Sequence, residues 1–142
     1  MPTETPGATS TPTDTPTITA TPTPTDTPTP TTTPSDLRIA SVEYSPAGSD
    51  LDGEYVQIEN LGEGDQDMTN WLLTDDDYHY YRFPDDFVLP GGDTASVKVW
   101  TKSGSDTSDD LYWGLNDPVW GNQGDTAHLW DNDWNLIDSL TW

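Results

Sequence analysis

Acidic side chains occur in short runs, and carboxylates at such spacing could serve as acid and base or could hold a metal ion. The runs are Asp75–Asp77, Asp85–Asp86 and Asp109–Asp110. Acid–base catalysis needs two carboxylates with separated pKa values in one pocket. Because residues 37–142 hold 22 acidic residues, neighbouring carboxylates arise there by chance. The runs alone therefore do not predict an enzyme.

The two histidines, His79 and His128, are the other candidates for catalysis. His128 falls on the outward phase of a predicted strand, and His79 lies in the aromatic run "YHYYRF". A serine nucleophile also needs a local motif such as G-x-S-x-G, which the sequence lacks. The sequence therefore predicts ordinary surface histidines and no catalytic activity.

Two loops have the residue types that Ca²⁺ prefers, which are carboxylate and carbonyl oxygens on flexible backbone. The first, "SDLDGE", offers Asp50, Asp52 and Glu54, and the second, "DNDWN", offers Asp131 and Asp133. Neither matches the twelve-residue EF-hand pattern. Asp and Asn are also standard turn formers, so solvated acidic turns are the simpler interpretation. If a cofactor is present, calcium in one of these loops is the expected one.

Tryptophan is frequent, with seven in the chain beside six tyrosines. By strand parity Trp100 and Trp130 face away from the aliphatic sides of their strands, and Trp134 lies in a turn. Exposed rings beside Asp and Asn could stack on the apolar faces of sugars. Packing over the sheets of a small domain is the simpler interpretation for most of these rings, and it explains Trp134 least well.

The composition of the chain limits the kinds of partner that it can bind. The formal charge is −22, and residues 37–142 carry −18 of it. Such a charge repels nucleic-acid phosphates and anionic membranes. The absence of cysteine excludes thiol chemistry and disulfides. No apolar run approaches the roughly 20 residues of a membrane helix, so no membrane insertion is expected.

The chain has two regions of different kind. Residues 1–36 contain sixteen Thr and nine Pro, which cannot form a core and favour extended polyproline-like backbone. We expect an extended, disordered Thr/Pro-rich linker that acts as a spacer, either O-glycosylated or unmodified. Residues 37–142 are predicted to form one β domain.

Short strands with period-two alternation fill the second region. Glu54–Asn60, Thr94–Trp100 and Asp125–Asp131 alternate most clearly, and a phase slip between Ile39 and Val42 predicts a bulge. Turn sequences such as "NLGEGD" and "LPGGD" separate the strands. Many short strands with regular turns indicate an all-β antiparallel sandwich or barrel.

The order of these motifs resembles that of the lamin tail domain. The matching stretches are "EYVQIENLG", "WLLTDD", "FVLPGGD", "VKVW", "WGNQGDTAHL" and the closing "LID". The resemblance covers residues 37–142 and implies an immunoglobulin-like antiparallel β-sandwich without family-wide catalysis. Bacterial relatives are typically parts of extracellular proteins. This chain departs from the family in its last hairpin, where Trp134 stands in a turn that often carries glycine.

The resemblance and the composition together predict a non-catalytic module at the cell surface or outside the cell. It would bind a surface polymer or a neighbouring protein, from the end of its Thr/Pro spacer. Two alternatives stay open: a subunit of a surface fibre or layer, through self-association, and an accessory domain of a larger secreted enzyme.

Overall fold

The computed structural model describes residues 2–4, 6–14, 16–17, 19 and 34–142. The chain divides into two units, Met1–Pro30 and Thr31–Trp142. The described residues of the first unit are exposed and form neither helix nor strand. Much of the predicted spacer lies outside the described residues. The predicted boundary between residues 36 and 37 stays a prediction.

Residues 34–142 form ten strands and one short helix. They are β1 (Leu37–Glu43), α1 (Asp50–Gly53), β2 (Tyr55–Asn60), β3 (Gln66–Asp67), β4 (Leu72–Thr74), β5 (Tyr80–Arg82), β6 (Val88–Leu89), β7 (Ser96–Trp100), β8 (Asp110–Tyr112), β9 (Thr126–Trp130) and β10 (Leu136–Thr141). This part of the chain contains no helix that is long and apolar enough to cross a bilayer, nor do the other described residues.

Two four-stranded sheets make the sandwich, and the predicted fold class is confirmed. One sheet has the order β1-β2-β7-β8 and the other β10-β9-β4-β5, while β3 and β6 form a small ribbon. Neighbouring strands are antiparallel except β7 and β8, which are parallel.

The core lies between the two sheets and comes from alternate residues of each strand. Val56 and Ile58 of β2 meet Val97 and Val99 of β7 in register, and all four are buried. Trp71, Leu73 and Phe83 of the opposite layer are buried, together with Ala127 and Leu129. The alternation seen in the sequence is thus the division between core and outer face.

Irregular pairing occurs in both edge strands that face each other across the sandwich. The register of β1 shifts between Ile39 and Ser41, which confirms the predicted bulge. The register of β10 shifts between Leu136 and Asp138. The half-buried carboxylate of Asp138 accepts the backbone N–H of Ile39 at 2.7 Å. An acid on the inward phase of β10 therefore satisfies a backbone donor that the bulge leaves free.

Short elements were missed by the sequence analysis. The ribbon strands β3 and β6 have two residues each, and α1 has four. Periodicity over such short lengths carries no information. Helix α1 falls in the "SDLDGE" loop, where the side chain of Ser49 caps it by accepting the N–H of Asp52.

Candidate functional site

An aromatic groove opens on the outer face of the sheet β10-β9-β4-β5. In register across this face stand Leu136, Trp130 and Leu72 in one row, with His128, Thr74 and Tyr80 in the next. The groove has a volume of about 430 Å³ and is lined by Leu72, Thr74, Asp75, Tyr78, His79, Tyr80, Trp130 and Trp134. Three of its rings are largely exposed, since 95% of Tyr78, 65% of Tyr80 and 68% of Trp134 are accessible.

Trp130 forms the floor of the groove on strand β9. Its Nε1 donates to the hydroxyl of Thr74 on β4 at 3.0 Å, which fixes the orientation of the indole. Trp134 stands beside it, with 6.5 Å between the ring centroids and 58° between the ring planes. The two rings thus enclose an angle and do not form a flat platform.

The turn that presents Trp134 is held together by one carboxylate. Asp131 accepts the backbone N–H of Asp133 at 2.8 Å and that of Asn135 at 2.9 Å, and its second oxygen accepts the amide of Asn135. The hydrogen bonds from Asn135 lower the pKa of Asp131 below its ordinary value. Trp134 itself has φ of +64°, a left-handed conformation that favours glycine or asparagine over a bulky side chain.

A second turn presents Tyr78 in a similar way. The buried carboxylate of Asp75 accepts the backbone N–H groups of Asp77 and His79 and lies against Nδ1 of the His79 ring. Tyr78, at the tip of this turn, has φ of +71°. Two of the groove's exposed rings therefore stand on left-handed backbone, which costs such residues about 1–2 kcal/mol each.

His128 supports the groove from the neighbouring row. Its ring lies 5.9 Å from that of Trp130, and its Nε2 is 3.0 Å from the carboxylate of Asp76. The hydrogen bond to His128 lowers the pKa of Asp76. His79 and His128 thus each contact a carboxylate. These contacts orient the two rings beside the groove.

Trp100 lies on the opposite sheet, and its surroundings differ. Its Nε1 donates to Asp110 on β8 at 2.7 Å, and its ring packs against Tyr55, 4.9 Å away. The amino groups of Lys98 and Lys102 lie 5.5 and 4.9 Å from its centroid. Of the three tryptophans predicted as a ligand surface, the structure brings Trp130 and Trp134 together and places Trp100 apart.

The predicted calcium ligands do not meet in one place. Asp131 is engaged within its own turn, and Asp133 is exposed. Asp50 accepts the amide of Asn122 at 2.8 Å, and Asp52 is exposed. Over the described residues, no group of three or more His, Asp or Glu side chains is arranged to hold a metal ion. Calcium binding stays a prediction.

Glu54, the remaining predicted ligand, is fully buried. Its Oε2 accepts the backbone N–H of Val119 at 3.0 Å, which ties the long segment before β9 to the start of β2. Burial raises the pKa of Glu54, although this hydrogen bond favours the charged form. The Thr101 hydroxyl and the other oxygen of Glu54, Oε1, are buried without a hydrogen-bond partner. Glu54 therefore acts within the core.

A larger cleft is lined by residues of β6, β7 and β8 and of the loops beside them. It has a volume of about 590 Å³ and is lined by Val88, Leu89, Pro90, Ala95, Ser96, Lys98, Ser108, Asp109 and Asp110. None of these side chains is aromatic. The smaller groove is the better candidate site because its exposed rings are otherwise unexplained by packing.

Part of the groove is not among the predicted site residues, namely Tyr78, Tyr80 and Asp75. The spacing of Asp75 and His79 resembles an Asx-type turn with the tyrosine at its tip, and this pattern could have indicated the geometry. The left-handed backbone at Tyr78 and Trp134 has no comparable sequence pattern.

Comparison with known proteins supports the family resemblance. The sequence profile of the Lamin Tail Domain matches residues 30–142. Among solved structures, the chain is similar to the archaellum periplasmic stator protein FlaG from Sulfolobus acidocaldarius, at 17% identity and a TM-score of 0.37. That match covers 76% of this chain and 99% of FlaG. A likeness of this size carries no argument about function.

Proposed function

Since the chain belongs to the lamin tail domain family, we propose that it is a non-catalytic extracellular binding module, presented on its Thr/Pro-rich segment. Binding takes place in the groove around Trp130 and Trp134. The observation that carries the proposal is the pair of exposed aromatic residues, Tyr78 and Trp134, that stand on left-handed backbone and line the same groove.

Strained backbone supports a functional role for these two rings. Exposed aromatic side chains at left-handed positions contribute little packing, and glycine or asparagine would relieve the strain. Residues in sparsely populated conformations cluster at ligand-binding sites. Two such aromatic residues in one groove are explained most simply by a ligand that contacts both.

The chemistry of the groove favours an uncharged ligand. The domain has a net charge of −18, which repels anionic partners. The nearest carboxylate, that of Asp75, is buried and already bonded to its own turn. Aromatic faces with few polar groups bind apolar ring faces or extended apolar segments. A surface polymer or a segment of a neighbouring protein fits this description.

The proposal is tested by tryptophan fluorescence titration of the full chain with neutral soluble polysaccharides and with an uncharged proline-rich peptide. Trp134→Ala removes a groove ring, and Trp100→Ala is the matched control on the opposite sheet. At least one ligand should give saturable binding that weakens tenfold or more in Trp134→Ala. The control, if folded by circular dichroism, should bind as the unmodified chain does.

Two results would contradict the proposal. One is that Trp134→Ala binds the ligand as tightly as the unmodified protein. The other is that no ligand of either class changes the fluorescence.

A further inference from the structure

We propose that the ligand of the groove is an extended segment of another protein, which adds as a strand to the open edge of β5. This inference rests on the proposed function and names the class of its partner. Strand β5 is an edge strand of the sheet β10-β9-β4-β5, and its residue Tyr80 lines the groove. A segment that follows this edge therefore lies beside the exposed rings.

The hydrogen bonds between β5 and β4 use alternate residues. Phe83, just after β5, donates its N–H to the carbonyl of Trp71 at 2.9 Å. In an antiparallel pair the bonded residues recur at every second position. Tyr81 is therefore the residue of β5 that exchanges bonds with its partner, Leu73. The backbone groups of the two residues that flank Tyr81 point away from β4.

These flanking residues, Tyr80 and Arg82, each direct one N–H and one C=O outward from the sheet. In the part of the chain that the structure describes, no other backbone group bonds to them. Their side chains are exposed, as expected for an edge that solvent reaches. Free strand edges of this kind bind extended segments through main-chain hydrogen bonds.

The groove is placed to receive side chains from such a segment. Residues that pair directly across two strands have their side chains on the same face of the sheet. The residues opposite Tyr80 and Arg82 therefore project onto the outer face, beside the Tyr80 ring, which is 65% exposed. Apolar side chains at these two positions cover the ring, so we expect a segment with apolar residues at alternate positions.

The edge of β5 favours a peptide over a sugar. The rings of the groove and their hydroxyls can contact either ligand, because a tyrosine hydroxyl both donates and accepts. A peptide backbone, in contrast, repeats its N–H and C=O groups at the spacing of the strand that it joins. Sugar hydroxyls have no such repeat. The backbone of Tyr80 and Arg82 therefore distinguishes the two classes of ligand.

Charge describes the partner further. Exposed acids lie close to both ends of β5, since Asp76 and Asp77 precede it and Asp85 and Asp86 follow it. A segment with a basic residue on each side of its apolar centre complements these acids. The same acids oppose a second copy of this chain, because two paired β5 strands would bring acids of both copies together. The expected partner is therefore a different protein.

The first test is a tryptophan fluorescence titration of the full chain with the peptide acetyl-KTVTVTK-amide. Its two valines alternate with threonine, and a lysine stands at each end. In the proposed register the valine N–H groups face β5, and that of the threonine between them faces solvent. Methylation of the two valine nitrogens should therefore weaken binding at least tenfold more than methylation of that threonine nitrogen. Glutamate in place of both lysines should also weaken binding.

The second test changes the edge itself. Arg82→Pro removes an outward N–H at an edge position, where proline is tolerated because no bond to β4 is lost. Arg82→Ala loses the same side chain and keeps the N–H. If both are folded by circular dichroism, Arg82→Pro should bind the peptide at least tenfold more weakly than Arg82→Ala does. Should Arg82→Pro not fold, the methylated peptides decide the question on the unmodified chain.

Several results would overturn the inference. Equal binding by the two methylated peptides, or by the two Arg82 variants, would show that the edge of β5 makes no backbone contact with the ligand. A molar mass that rises with concentration in light scattering, and does so less in Arg82→Pro than in Arg82→Ala, would make a second copy the occupant.

The proposed function can survive these results. If a neutral polysaccharide or the proline-rich peptide binds through Trp134 and acetyl-KTVTVTK-amide does not bind, this inference fails and the proposed function stands. If none of these ligands changes the fluorescence, both fail.

Discussion

The two outer faces of the sandwich each carry a tryptophan at an outward strand position, but the surroundings of the two tryptophans differ. On the sheet β1-β2-β7-β8, Trp100 is bonded to Asp110 and lies close to Tyr55, Lys98 and Lys102. On the sheet β10-β9-β4-β5, Trp130 supports a second ring, Trp134, which is 68% exposed.

This difference shows that the role of an outward aromatic residue depends on the side chains around it and not on its position in the strand alternation. The domain has four basic side chains, and two of them, Lys98 and Lys102, lie over the Trp100 ring. Cations over aromatic faces bind to them and shield them from other partners. The Trp130 face instead adds exposed rings. One face therefore contributes to stability, and the other is available to a ligand.

The largest expected effect is on the free energy of unfolding, which should respond differently to the loss of a tryptophan from each face. Trp100→Ala removes a half-buried hydrogen bond, a ring contact with Tyr55 and two cation–π contacts. We expect a loss of about 2 kcal/mol in the free energy of unfolding. Trp134→Ala should change it by less than about 0.5 kcal/mol. Urea unfolding of both variants measures the difference, and equal losses would remove the distinction between the faces.

Relief of backbone strain at position 134 should change the free energy of unfolding by less, and in the opposite direction. Trp134→Gly puts a residue that tolerates left-handed backbone at φ of +64°. It should keep or raise the free energy of unfolding by about 0.5 kcal/mol, while ligand binding falls tenfold or more. Trp100→Gly serves as the control and should only destabilise. A clear loss of stability in Trp134→Gly would show that packing, not binding, explains Trp134.

The turn that holds Trp134 should respond to pH in a defined range. The pKa of Asp131 is lowered by bonds from Asn135, from an ordinary value of 3.8. A lowered pKa means that the bonds persist at higher pH and are lost as the pH falls through the value in the folded protein. Binding should therefore stay constant as the pH falls from neutral to the ordinary value of 3.8, and it should weaken only at lower pH.

Two variants of Asp131 sharpen this expectation. Asp131→Ala should weaken binding at all pH values, by less than Trp134→Ala does, because the ring remains but its turn loosens. Asp131→Asn keeps an acceptor for the two backbone N–H groups and should bind nearly as well, without the acid-dependent loss. Equilibrium titrations at several pH values check both. An unchanged affinity in Asp131→Ala would show that the ring needs no ordered turn.

The last expected effect concerns the stability that the lysines over Trp100 contribute. Lys98→Met and Lys102→Met keep the length of the side chains and remove their charges. Together they should lower the free energy of unfolding by about 1 kcal/mol, in line with partly exposed cation–π contacts. Urea unfolding at low salt measures the loss. A stabilised double variant would show that the lysines do not stabilise the Trp100 face.

Much of the fold was predictable because alternation in β2, β7 and β9 survives in the folded protein. Val56, Val99 and Leu129 are buried where their phase predicts. The bulge in β1 was predictable because the hydrophobic phase slips there. The ribbon of β3 and β6 was not, since two-residue strands depend on tertiary hydrogen bonds, such as those that buried Asn60 makes to Gly64 and Pro90.

The site was predictable only in part. Trp134 stood out because a bulky ring in a turn lacks a packing role, and the structure places it in the groove. Trp100 was grouped with it by parity, but parity says nothing about lysines on the same strand or the acid on β8. Tyr78 was missed because its exposure follows from a turn closed by Asp75, and such turns depend on backbone conformation more than on hydrophobic pattern.

The most direct test of the two-face account is an NMR titration that follows the indole N–H signals of the ¹⁵N-labelled full chain, assigned by single Trp→Phe substitutions. The ligands are the neutral polysaccharides and the uncharged proline-rich peptide of the fluorescence titration. The account predicts that a ligand that binds shifts the signals of Trp134 and Trp130 and leaves that of Trp100 in place. Shifts at Trp100 first, or no shift with any ligand, would contradict it.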